Sequence, residues 1–328
     1  MSSLRDRLKR IHEKKNSESL EKNPQTCNGS KILQDMGWLP CGFNVLKRVV
    51  NKQTPLKKIK NLHNDLSIVI PDLAGREMPA KEDFLFFDLE TTGLSGGAGT
   101  VAFLAAFGRV ISGKLQVTQY FLLDYPGEND FLDLVLKELK TENSVIVTYN
   151  GKSFDSQIIK TRCLMNRIKP PQYLHVDLLH PARRLWKSII MDCSQSSVEE
   201  KILGIERIDD IPGSLAPEIW FEFLKTGKTE RLIGICDHNI LDITGLAGIL
   251  AVMISIADDI FIIDKYEYDL ERLARSVYVY AYRQMLAGNY KKPLELVNKA
   301  LAAIPQDTLI YEKLTRRKLR LERRINIK

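Results

Sequence analysis

The chain is poor in cysteine, with five in 328 residues (Cys27, Cys41, Cys163, Cys193, Cys236) and no two of them in a C-x-x-C pair. That spacing argues against a zinc site and against a disulfide framework, and it fits a reducing compartment. Long apolar runs are absent as well. The most extended one, residues 246–257, stops before Asp258 and Asp259. It is too short to span a bilayer and reads as a buried helix. Residues 1–15 are charged throughout and hold no apolar signal core, so the expected location is the cytoplasm, with no membrane. The glycine-rich stretch Ser95-Gly96-Gly97-Ala98-Gly99 is not followed by Lys-Ser/Thr, which excludes a nucleotide-binding phosphate loop.

Charge is present but unevenly placed. The net charge of +7 divides into +7 for residues 1–80, −6 for 81–310 and +6 for 311–328. Basic ends around an acidic centre suit a polyanionic substrate, the ends attracting phosphates and the centre cations. Solvated helices that keep the protein soluble would show the same pattern.

Periodicity orders the chain into three parts: a basic N-terminal extension (1–81), a compact domain (82–260) and a helical segment with a basic tail (261–328). Residues 2–15 read as a helix and 16–32 as polar and flexible. Pro40, Pro55, Pro71 and Pro79 interrupt 33–80, which stays unassigned. Strands are predicted at 84–90, 100–109, 114–123, 144–149 and 173–178, where β-branched and aromatic residues concentrate. Helices are predicted at 128–140, 153–166 and from 181. Residues 195–260 read as mostly helical, broken at Ile211-Pro212-Gly213. Three hairpin-like strands followed by strand–helix alternation predict an α/β fold, a mixed sheet flanked by helices. Beyond 266 all reads as helix, and 287–305 is similar to the second half of a tetratricopeptide repeat, with Pro293 where that pattern prefers alanine. One such unit cannot bury its own face and must pack on the main domain or on a partner.

Three acidic motifs carry the chemistry. In Phe84-Leu85-Phe86-Phe87-Asp88-Leu89-Glu90-Thr91-Thr92-Gly93, two carboxylates two residues apart end an apolar strand and point to one side of the sheet. Like charges there repel and lose hydration, and a hard divalent cation is the usual compensation; a strand end facing water is the plainer reading. Tyr149-Asn150-Gly151-Lys152-Ser153-Phe154-Asp155 turns from strand to helix, so Asp155 would meet the first pair if the two strands are neighbours. A helix-capping role is compatible with that. In Asp237-His238-Asn239-Ile240-Leu241-Asp242, His238 and Asp242 share one face of an apolar helix and Asp237 points to solvent. A satisfied His–Asp pair in the core is the alternative.

Asp-x-Glu-Thr-Thr-Gly, Asn-x-x-x-Phe-Asp and His-x-x-x-Asp together resemble the three exonuclease motifs of the DEDD superfamily, with its ribonuclease-H-like fold. Residues 87–100, 149–155, 177–187, 203–213 and 238–243 extend the resemblance to the YprB-type ribonuclease-H-like proteins of bacteria. The resemblance implies a 3′→5′ exonuclease that hydrolyses single-stranded nucleic acid, DNA or RNA, with two Mg2+ or Mn2+ ions. Asp88, Glu90, Asp155 and Asp242 would be ligands, Asp88 bridging, and His238 the general base. Three residues separate His238 from Asp242, the spacing of tyrosine-type members; histidine-type members have four. Candidate substrate contacts are Thr91, Gly93, Leu94, Asn150 and Lys152, with Arg183 and Arg184 as a phosphate clamp. His175 and His180 lack a metal spacing and read as structural. The competing function is a silent nucleic-acid-binding or scaffold protein that recruits a partner through its helical tail.

Overall fold

The computed structural model describes residues 24–59, 62, 66–93, 97, 99–258, 260–261 and 266–326. The helix expected over 2–15 lies outside them, as do Leu94 and Gly96. The chain opens with α1 (Pro24–Asp35), so the flexibility expected through residue 32 does not extend to this helix. Strands β1 (Leu39–Gly42) and β2 (Val45–Lys52) follow, then the short helix α2 (Leu66–Val69). The motif strand is β3 (Phe84–Thr91), continued by β4 (Ala102–Ile111), β5 (Lys114–Leu122), α3 (Glu128–Leu139), β6 (Val145–Thr148), α4 (Asp155–Met165), β7 (Leu174–Asp177) and α5 (Leu179–Trp186). A helical turn α6 (Gln195–Val198), α7 (Ala216–Thr226) and the long α8 (Glu230–Asp258) come next, and α9 (Leu270–Leu286), α10 (Lys291–Ala303) and α11 (Leu309–Asn326) end the chain.

The seven strands form one mixed sheet in the order β1-β2-β5-β4-β3-β6-β7. β1 through β3 in that row pair antiparallel; β6 and β7 add parallel to β3. The expected neighbourhood of the first and second motif strands is therefore present. The division expected at residue 82 is not where the sheet begins, because β1 and β2 extend it back to Leu39. Pro40 and an exposed, short β1 hide that edge from periodicity.

Alternation along β3 separates two cores. Phe84 and Phe86 face a cluster with α8, α5 and the C-terminal helices, while Leu85, Phe87 and Leu89 face α3, α4 and α7. The same period sends Asp88 and Glu90 to the α8 side. Helix α8 lies close on that face because Gly108, opposite Phe86, has no side chain: a Cβ there would stand 2.5 Å from Ile243 Cγ2. α8 is long and apolar enough to cross a membrane, but 72% of its most apolar window is buried inside the fold, as the core of the α/β domain requires. The C-terminal helices pack on α2 and α5 and share the α8-side core. Pro293 sits in the first turn of α10, where a missing N–H costs nothing.

Candidate active site

A row of side chains runs across the sheet on the α8 face. The register aligns Arg48 of β2 with Gln119 of β5, Gln119 with Ala106 of β4, and Ala106 with Asp88 of β3. Ala106 is small, and Asn239 from α8 bridges its two neighbours. Asn239 Nδ2 donates to Asp88 Oδ2 at 2.7 Å, and Asn239 Oδ1 accepts from Gln119 Nε2 at 2.9 Å. Gln119 Nε2 also donates to the Cys236 carbonyl, and its Oε1 accepts from both Arg48 Nε and Nη2. Arg48 ends the chain on the exposed Asp237 at 3.0 Å. Gln119 and Asn239 are fully buried, and each has its side-chain oxygen and nitrogen partnered. The network fixes one orientation of the Asp88 carboxylate.

Asp88, Glu90, Asp155, His238 and Asp242 line one pocket of about 240 Å3, floored by Leu89, Thr91, Tyr149, Asn150, Phe154 and Gly213. A β-bulge between Glu90 and Thr91 ends the regular pairing there, at the rim where such bulges re-aim side chains. Asp155 enters from the first turn of α4, set by the left-handed Asn150 (φ 65°), whose N–H donates to Asp177 Oδ1 at 2.8 Å. Glu90, His238 and Asp242 offer atoms within 4.8 Å of one another. Gly213 closes on this trio; a Cβ there would lie 3.0 Å from His238 Nε2.

The electrostatics are strained. Burial, then the charges of Asp242, Asp155 and Glu90, push the Asp88 carboxyl well above the carboxylate range, opposed by the Asn239 hydrogen bond. Glu90 is pushed up by burial and by Asp242, Asp155 and Asp210. Burial raises Asp155 to about 7, although its own N–H and that of Leu89 donate to it. The Glu90 carboxylate makes no hydrogen bond or ion pair among the described residues, so its oxygens are left for the pocket. Buried oxygen donors converging without enough positive charge are what a hard divalent cation satisfies. The donor set fits such an ion.

One cation is already present. Arg207 Nη2 donates to Asp242 Oδ1 at 2.7 Å, and the same guanidinium holds Glu199 in a bidentate pair at 2.7 and 2.8 Å. Burial works against its charge, but Glu199 and Asp242 hold its pKa above the usual arginine value. Asp210, three residues on, accepts His238 Nδ1–H at 2.8 Å, and His238 Nε2 stands 3.2 Å from Asp242 Oδ2. Residues 203–213 carry part of the resemblance, but no local pattern marks Arg207, Asp210 or Glu199, whose importance depends on a loop folding over α8. Asn239 did carry a signal. It lies on the buried stripe Leu232, Cys236, Asn239, Ile243, Leu246, where a polar side chain needs a partner.

The expected substrate contacts divide. Thr91 and Asn150 line the pocket, and Thr91 Oγ1 donates to the Gly93 carbonyl. Gly93 packs on Thr100 beside it, and Leu94 lies outside the described residues. Lys152 does not line the pocket; its Nζ pairs with Asp72 at 2.7 Å. Neither arginine of the expected clamp lines it either. The Arg183 carbonyl accepts from Arg272, and Arg184 faces a separate pocket against Ser276. α5 places both beside the C-terminal helices, a neighbour the local sequence does not announce. His175 bonds Thr148 and Ser156, a structural role as expected, and Trp186 is core.

Residues 85–254, about half of the chain, match the family model RNase_H_2, described as RNase_H superfamily. Over 172 residues the chain is 41% identical to the "Uncharacterized protein YprB" of Bacillus subtilis (strain 168), a stretch that covers 52% of this chain and 41% of that protein. The chain thus spans less than half the length of that relative. A solved structure, the family B DNA polymerase from the hyperthermophilic archaeon Pyrobaculum calidifontis, is similar at a TM-score of 0.43 and 12% identity, over 76% of this chain and 47% of that one. The mixed sheet, the motif strand within it and the family match agree: the chain belongs to the RNase_H superfamily.

Proposed function

We propose that this protein is a divalent-metal-dependent nuclease that hydrolyses phosphodiester bonds of single-stranded nucleic acid from the 3′ end. Membership of the RNase_H superfamily supports nuclease chemistry in general. The observation that carries the reading is the meeting of Asp88, Glu90, Asp155 and Asp242, from one strand and two helices, in one pocket short of positive charge.

In this reading the four carboxylates would hold two Mg2+ or Mn2+ ions, which would supply Lewis acidity toward a phosphate and lower the pKa of water. The chain's own groups do the rest. The Arg48–Gln119–Asn239 network orients Asp88, as outer partners of ligands do. Asp210 accepts a hydrogen bond from His238 Nδ1–H, which keeps the proton on Nδ1 and leaves Nε2 as the accepting nitrogen on the pocket side. His238 then receives the proton of the attacking water. Arg207 neutralises one oxygen of Asp242 and leaves the other turned toward His238.

The test is degradation of end-labelled single- and double-stranded DNA and RNA with Mg2+, Mn2+ or EDTA. The expected result is metal-dependent shortening of single strands from the 3′ end, abolished in Asp88→Asn while the circular dichroism spectrum is unchanged. A fully active Asp88→Asn, or no metal-dependent product on any substrate, ends the proposal.

A further inference from the structure

On the α8 side, away from the acidic pocket, a cavity of about 580 Å3 opens between α2, α5 and α9. Arg184, Arg272, Arg275 and Arg283 line it, and no acidic residue does. Arg272 pairs with Asp269 at 3.1 Å and Arg275 with the exposed Glu271 at 3.8 Å, both outside the cavity. Arg283 has no ion pair among the described residues, and the Arg184 guanidinium donates to the Ser276 hydroxyl at 3.4 Å. Burial lowers the pKa of Arg184, as expected of a half-buried guanidinium without a touching anion.

The cavity is joined to its surroundings at both ends. Tyr280 and Gln284 also line a second pocket, of about 480 Å3, which carries Lys291 and Lys292. At the other end, Pro71 lines the arginine cavity and its neighbour Asp72 pairs with Lys152. Lys152 follows by two residues Asn150, a wall of the acidic pocket. Asp72 and Lys152 therefore link the arginine cavity to the rim of the acidic pocket, and from that cavity cationic side chains run to the turn before α10.

We propose that this surface binds the sugar–phosphate backbone of the strand whose end lies in the acidic pocket, so that the C-terminal helices act as a nucleic-acid anchor. The inference rests on the nuclease reading. Guanidinium forks suit phosphate oxygens, and a line of cations recognises successive phosphates without reading sequence. A small phosphorylated ligand would occupy one cavity, whereas two adjoining basic pockets suit an extended polyanion.

The experiment needs no turnover. A fluorescent 20-nucleotide single strand, as DNA and as RNA, is titrated with the full chain in EDTA and followed by anisotropy at several salt concentrations. Arg275→Glu/Arg283→Glu is expected to bind at least about tenfold more weakly. Its log–log salt slope should be shallower by about 1.4, at about 0.7 for each phosphate no longer neutralised. Reversal of Lys225 and Lys228, whose segment packs on the opposite face of the sheet, is expected to leave affinity unchanged. Thermal melts of all variants check folding. Equal weakening by both pairs overturns the assignment, because it reports only net charge. Equal affinity for a mononucleotide and the 20-mer overturns it in favour of a single-phosphate pocket. Displacement by polyglutamate as strong, charge for charge, as by unlabelled strand overturns it in favour of an acidic protein. Weakened binding in the arginine variant of a protein that never hydrolyses anything would sink the nuclease reading alone, and unchanged binding with hydrolysis intact would sink the anchor alone.

Discussion

Asp155 is the acid whose protonation state is most open to experiment. Burial holds its carboxyl at about 7, far above an unfolded aspartate. Between those two values the folded chain binds more protons than the unfolded one. The associated stability is complete below the unfolded pKa and is lost as pH rises through about 7. His175 acts oppositely, since burial pushes it down to about 4 and its contribution is lost as pH falls from the ordinary imidazole value toward 4. Comparing Asp155→Asn with wild type in EDTA cancels the His175 effect. The melting temperature of the variant relative to wild type is expected to rise between pH 5 and pH 8. Parallel curves would mean that Asp155 titrates normally. Asn239→Ala addresses the same cluster from outside, by taking from Asp88 and Gln119 the amide that joins them. It should weaken Mn2+ binding by about 10- to 100-fold in a calorimetric titration; wild-type affinity would show that the network is only structural. At this scale the acids were legible because a spacing of two on a strand, and of four between His238 and Asp242 on a helix, fixes a common side. Arg207 and Asp210 were not, because no local period relates 207 or 210 to 242.

Elements bring those side chains together, and the approach of α8 to β4 is the controlling contact. Gly108→Ala places a methyl against Ile243 and should lift the helix that carries Asn239 and Asp242. Overpacking of this kind costs about 1–3 kcal/mol, read as a lower urea midpoint and a weaker Mn2+ response together. Ile243→Ala in the same chain removes the opposing methyl and is expected to restore part of both; independent, additive losses would place the defect elsewhere. Strands β3 to β7 could be read from their β-branched and aromatic runs, and α8 from its apolar length. β1 and β2 could not. Val45-Leu46-Lys47-Arg48-Val49-Val50-Asn51-Lys52 has no clean alternation, and its identity as a strand comes from pairing with β5 from Leu115 to Leu122. That pairing also brings Arg48 to the network behind Asp88, so a segment read as an extension supplies part of the site's support.

For the molecule as a whole, the C-terminal helices are the element whose independence is most in question. The sequence presents residues 261–328 as a separate segment with a basic tail, yet Leu273, Ala274, Val277 and Ala281 of α9 are fully buried in the core that holds Phe84, Phe86 and α8. The join is polar as well: Asp269 N–H donates to the Leu185 carbonyl at 2.7 Å, and Ser188 Oγ to Asp269 Oδ2 at 2.7 Å. α11 closes the other side, with Leu314 and Leu321 buried and Arg317 stacked between Tyr278 and Tyr282 at 4.5 and 4.7 Å. Leu273 and Val277 alone would forfeit roughly 3–6 kcal/mol of apolar transfer free energy if α9 left, at about 1.5–3 kcal/mol for each side chain. That is a large share of the whole stability of a typical domain. A chain ending at residue 261 should therefore be insoluble or bind a hydrophobic dye as a molten species. The intact chain should unfold in urea in one transition that tryptophan fluorescence and far-ultraviolet circular dichroism report at the same midpoint. Two separated transitions, with a soluble and folded truncated chain, would instead make the helices a true appendage. The strand anchor would then hang on a hinge, and its arginines would keep no fixed register with Asp88 and Glu90.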